Sequence, residues 1–91
     1  RIIAIEDLEE GTVNHAAPII REIFQRALQH FAVSIICVHN HPGGSVAPSR
    51  EDIEFTNRLT EAGRAIEVKL LDHLIVGDDC HYSFSDQRLA A

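Results

Sequence analysis

Residues 32–52, AVSIICVHNHPGGSVAPSRED, decide how this chain is read. Ala32 to Val38 is short, nearly all apolar and rich in β-branched side chains, too short for a helix, so it predicts a strand buried on both faces. His39 to Ala47 is polar and carries Pro42, Gly43 and Gly44, which predicts a loop. Pro48-Ser49 then starts a helix that runs from Arg50 to about Ala65, with Ile53, Thr56, Leu59, Ala62 and Ile66 able to share its inner stripe. Gly63 weakens its last turn.

Working outward, Ile19, Ile20, Ile23, Phe24, Ala27, Leu28 and Phe31 recur at three- and four-residue steps. They form one apolar stripe on a preceding helix, with Pro18 in its first turn, where a missing N–H costs nothing. Arg1 to Leu8 reads as a strand, and Thr12 to Ala16 as a further short extended piece. On the other side, Glu67 to Val76 predicts a strand, Gly77-Asp78-Asp79 a turn and Cys80 to Phe84 a hairpin partner. Ser85 with Asp86 would cap a third helix. The order β-(β)-α-β-α-β-β-(α) is that of an α/β sandwich, in one domain over residues 1–91. The chain opens on Arg1 inside a strand-like run, so the expectation is the C-terminal part of a domain whose opening strand and helix are missing.

Composition narrows the function. Eight basic against fourteen acidic residues leave a net charge of −6, the opposite of a phosphate-tracking surface. Four Phe and one Tyr offer little for base stacking. DNA is therefore not an expected partner of this chain alone. No apolar run reaches the roughly 18 residues of a membrane span, and nothing resembles a signal peptide. Cys37 and Cys80 are neither a disulfide framework nor a CxxC pair, which fits a reducing cytoplasm.

Two histidines one residue apart in extended chain project to the same side, so His39 and His41 can converge on one ion. Asp52, in the first turn of the next helix, can supply a carboxylate from another direction. Two His and one carboxylate leave a tetrahedral zinc with an open fourth position, as catalytic sites do. Ser49, one helical turn before Asp52, is placed to donate to a developing oxyanion. Each residue also has a plainer reading. An HxH at a strand end can be an ordinary loop, Ser49 is on residue type the better N-cap, and Asp52 gains from the helix dipole without any metal.

The spacing as a whole resembles the JAMM (MPN-domain) metalloproteases: His39-x-His41, ten residues, then Asp52, with Ser49 three before it. HNHPGGSVAPSREDIEFTNRLTEAG and LLDHLIVGDD, with Gly11-Thr12 and Arg21-Glu22-Ile23-Phe24 upstream, look like the RadC branch of that superfamily. The resemblance implies a cytidine-deaminase-like three-layer sandwich: a mixed β-sheet with flanking helices. It also implies one Zn²⁺ per chain on His39, His41 and Asp52, Ser49 as the catalytic residue that stabilises the tetrahedral intermediate, and hydrolysis of a peptide or isopeptide bond in a bacterial cytoplasm. The family's general-base glutamate lies on an earlier strand, and none of Glu6, Glu9, Glu10 or Glu22 stands in its motif. The chain also has Ile19-Ile20 where the branch has His-Pro before Arg-Glu. Two other readings stay open: a non-catalytic scaffold of the same fold, and a DNA-repair-associated factor. An open sheet edge would favour a homodimer. Asp72-His73 reads as core or surface, with a supporting role behind a zinc histidine as the sharper alternative.

Overall fold

The computed structural model describes residues 16–41 and 45–86. The expected strand at 1–8, residues 12–15 of the extended piece, the 42–44 turn and any helix beyond Asp86 lie outside those residues; Ala16, the last residue of that expected extended piece, is helical instead.

Five elements follow one another: α1 (Ala16–Gln29), β1 (Ser34–Asn40), α2 (Arg50–Ala65), β2 (Lys69–Val76) and β3 (His81–Ser83). β1 pairs with β2 in parallel and β2 with β3 antiparallel, giving a mixed sheet in the order β1-β2-β3. A parallel pair needs a crossover, and α2 is that crossover, a βαβ unit. The α/β class and the mixed sheet with helices against it are as the sequence predicts.

Both long helices end in the same way. Phe31 N–H donates to the Leu28 carbonyl and Ala32 N–H to that of Ala27, and Glu67 and Val68 repeat the pattern onto Arg64 and Gly63. These are Schellman caps, with Phe31 (φ 54°) and Glu67 (φ 56°) in the left-handed region that usually selects glycine. Each cap reverses the chain directly into a strand, so α1–β1 and α2–β2 are two copies of one turn.

The core joins Ile20, Phe24 and Ala27 of α1 to Leu59 of α2, Val68 and Leu70, with Ile35 and Cys37 of β1 packed against it. Leu59, Val68 and Ile75 are fully buried, each removal from water contributing about 1.5–3 kcal/mol. Gly63 is the contact point of the layers: a Cβ there would overlap the Val68 carbonyl and lie 3.1 Å from Phe24 Cζ. Its helix-weakening effect is accepted because nothing larger fits.

Several expectations need correction. β1 starts two residues late and runs through Asn40, because its ladder with β2 extends over both and His41 N–H continues it onto the Val76 carbonyl. His39 is thus a strand residue. β1 is buried on one face only, with Ile36 and Val38 57% and 65% exposed; among the described residues both long helices pack on the other face. The inner stripe of α2 is Asp52, Thr56, Leu59 and Gly63, while Ile53 and Ile66 are exposed. Leu28 and Phe31 are exposed as well, Phe31 because the cap turns it outward. β2 starts two residues later than predicted and ends at Val76 as expected, and β3 is one residue shorter at each end. The turn after β3 is capped by Ser83, not Ser85: Ser83 Oγ accepts from Asp86 N–H.

Candidate metal centre

The parallel ladder pairs Cys37 with His73 and His39 with Ile75. Cys37, His39 and His41 share one side of β1 by strand alternation, the side on which α2 lies. The first turn of α2 therefore meets the end of β1, and Asp52, its third residue, faces both histidines.

The local chain holds Asp52 firmly. Ser49 is the N-cap: its Oγ accepts from Asp52 N–H at 3.1 Å, and Asp52 Oδ2 accepts from Ser49 N–H at 2.8 Å. This is a capping box with Asp in place of the usual Glu or Gln. The plainer reading of Ser49 is thus realised. It does not consume the hydroxyl proton, since Oγ acts only as acceptor in that bond, and the O–H remains able to donate.

His39 Nδ1 lies 3.4 Å from Asp52 Oδ1, and His41 Nε2 lies 3.5 Å from Asp52 Oδ2. Both distances exceed those of a well-formed N–H···O hydrogen bond, about 2.7–3.2 Å. They are close to the roughly 3.3–3.4 Å between two ligand atoms of an ion held tetrahedrally at about 2.0–2.1 Å, with His39 facing one carboxylate oxygen and His41 the other. One ligand atom from each of the three residues falls within 4.8 Å of the others. Two imidazoles and a carboxylate are the donor set of zinc and similar divalent ions. The residues fit such an ion.

Electrostatics point the same way. Burial pushes the Asp52 carboxyl pKa up, but the Ser49 hydrogen bonds and the two adjacent histidines outweigh it, and the net shift is downward. Asp52 is 7% exposed, so a negative charge is held in a largely desolvated position beside the two imidazoles. Cys37 takes no part: burial raises its thiol pKa to about 11, leaving an inert core side chain.

Next to the three lies His73, for which the sequence offered a core or surface place or a supporting role behind a zinc histidine. His73 is 3% exposed, and its Nδ1 is 2.6 Å from Thr56 Oγ1. Burial lowers its imidazole pKa, and His39 adds to that effect. Its ring is nearly parallel to that of Phe84 (centroids 4.9 Å, 9°) and to that of His39 (6.2 Å, 18°). Asp72 faces elsewhere: it accepts from Ser83 Oγ and from the backbone N–H groups of His73 and Ser85, tying β2 to the turn after β3. Thr56 was legible only as part of a helix stripe. The signal that would have picked it out is its position four residues after Asp52.

Arg50 and Arg64 form exposed helix-face pairs with Glu54 and Glu61. Among the described residues no helix is long and apolar enough to cross a membrane.

The profile of the RadC-like JAB domain family matches residues 1–89. A UPF0758 protein of Caldanaerobacter subterraneus is 51% identical over 78 residues, 86% of this chain and 34% of its own length. A UPF0758 protein of Geotalea uraniireducens is 46% identical over 87 residues, 96% of this chain and 38% of its own. A third, from a Geobacillus species, is 51% identical over 77 residues. The chain thus spans little more than a third of the length of these relatives.

Proposed function

The chain belongs to the RadC-like JAB domain family, and from that premise we propose that it is the metal-binding part of a zinc-dependent hydrolase of peptide or isopeptide bonds. His39, His41 and Asp52 are its metal ligands. The observation that carries this reading is the convergence of two imidazole nitrogens on the two oxygens of Asp52 at 3.4 and 3.5 Å, a spacing that suits a shared ion better than direct hydrogen bonds.

Bound there, zinc supplies Lewis acidity: it polarises a carbonyl and brings the pKa of water down to about 7. The chain's own residues do the rest of the positioning. β1 presents His39 and His41 from one side, and the capping box fixes the Asp52 carboxylate from the other. Ser49, with its hydroxyl proton free of the capping bond, donates to the oxyanion that forms as the carbonyl is attacked. Hydrolysis is proposed for a protein of the relatives' length, about two and a half times that of this chain. A peptide or protein is the substrate proposed.

The test is the zinc content of the purified chain beside Asp52→Ala, by plasma mass spectrometry after zinc loading and desalting. About one zinc per chain, lost in the variant, is the expected result. A native chain that takes up no zinc would overturn the reading and leave a scaffold of the same fold.

A further inference from the structure

A single buried ring touches both halves of the candidate centre. The ligands arrive on two separate elements, His39 and His41 with β1 and Asp52 with α2, and His73 of β2 is linked to each. Toward β1, its ring lies nearly parallel to His39 at an offset-stacking distance of 6.2 Å. Toward α2, its Nδ1 meets Thr56 Oγ1, and that same oxygen lies 2.8 Å from the backbone carbonyl of Asp52.

The proton count fixes the direction of these bonds. Thr56 has one hydroxyl proton. The Asp52 carbonyl can only accept, so that proton goes to it. Thr56 Oγ1 then has lone pairs left to receive a bond, and Nδ1 of His73 must carry the hydrogen. The ring is thereby held in one tautomer and one orientation, and Phe84 stacks on it at 4.9 Å and 9°.

We propose that His73 is a positioning residue of the metal centre: braced by Thr56 and Phe84, its ring is the wall that keeps the His39 imidazole turned toward Asp52. The inference rests on the reading of His39, His41 and Asp52 as metal ligands. His73 is not itself a ligand. Its work is to reduce the rotamers open to a strand-end histidine whose side chain is still 38% exposed, so that less ordering is left for the moment of binding.

The experiment is zinc affinity by competition with a chromophoric chelator, together with the visible spectrum of the cobalt-loaded protein, for the parent, His73→Ala, His73→Phe and Thr56→Val. Circular dichroism of each metal-free variant checks its fold. His73→Ala should weaken zinc about tenfold or more and alter the cobalt bands. His73→Phe keeps the stacked ring and loses only the Thr56 bond, so it should stay within about threefold of the parent, with Thr56→Val between the two. If His73→Ala does not fold, the Phe and Val variants decide. Parental affinity in His73→Ala, or a His73→Phe as weak as Ala or weaker than Thr56→Val, would overturn the proposal while leaving the metal site standing. Failure of the parent to bind zinc would instead remove the ligand reading, and this inference with it.

Discussion

Replacing Phe31 by glycine should make the protein more stable. Phe31 closes α1 at φ 54°, a left-handed conformation, and two hydrogen bonds, Phe31 N–H to the Leu28 carbonyl at 3.1 Å and Ala32 N–H to that of Ala27 at 2.9 Å, hold it there. For a residue with a Cβ this conformation costs about 1–2 kcal/mol. Glycine removes that cost but loses about 0.5–1 kcal/mol through the greater freedom of its unfolded chain. The ring gives back little, because Phe31 is 90% exposed and forfeits almost no burial when cut away. The difference is a gain of roughly 0.5–1 kcal/mol, or about 2–8 °C in Tm for a chain of this size. Glu67→Gly at φ 56° should behave alike, since its side chain is also exposed. The assay is thermal and urea unfolding of the chelator-treated protein, with Phe31→Ala as the control that removes the ring but keeps the strain. A Phe31→Gly no more stable than the parent, or a Phe31→Ala that gains as much, would refute the reasoning.

Two further outcomes are expected. Ser49→Ala removes the acceptor for Asp52 N–H, which should cost about 1 kcal/mol in unfolding experiments while zinc content stays at the parental level; an unchanged Tm would remove the cap assignment. Acid should destabilise the metal-free protein in thermal melts between pH 7.5 and 5.5. The His73 pKa is lowered in the folded state, so below its ordinary value of about 6.5 the unfolded chain takes up a proton that the native one resists. That contribution is complete above pH 6.5 and is lost as pH falls toward the folded value. The lowered Asp52 carboxyl acts in the same direction at lower pH, its contribution present above the usual carboxylate range and lost as pH drops through the folded value. His73→Phe should flatten the upper part of the profile, and a melt that rises on acidification would contradict the sign.

Much of the candidate centre was legible because it is local. His39, His41, Ser49 and Asp52 lie within one strand–loop–helix passage, and the geometry of each element fixes which side chains share a side: alternation for the two histidines, one helical turn for Ser49 and Asp52. The helices were legible for the same reason, down to the last residue of α2. The burial of β1 was not. A run such as AVSIICV can be covered on one face or two, and which holds depends on where the helices pack rather than on the run.

His73 shows where local reasoning stops. Leu70 is a core residue, and strict alternation along β2 would turn His73 to the opposite face. The register shifts between Ile35 and Ile36, which pair with Leu70 and Asp72, so Leu71 is an extra residue and His73 swings back onto the core side. No pattern within KLLDHLIV announces that bulge. It is set by the pairing of β2 with a strand more than thirty residues earlier, and it is what brings the ring beside His39 and Thr56. The sequence alone determined which groups could hold a metal, because covalent spacing and helix and strand periods act over a few residues. Only the tertiary structure decided what braces them, because register and packing between distant segments are settled by the whole fold.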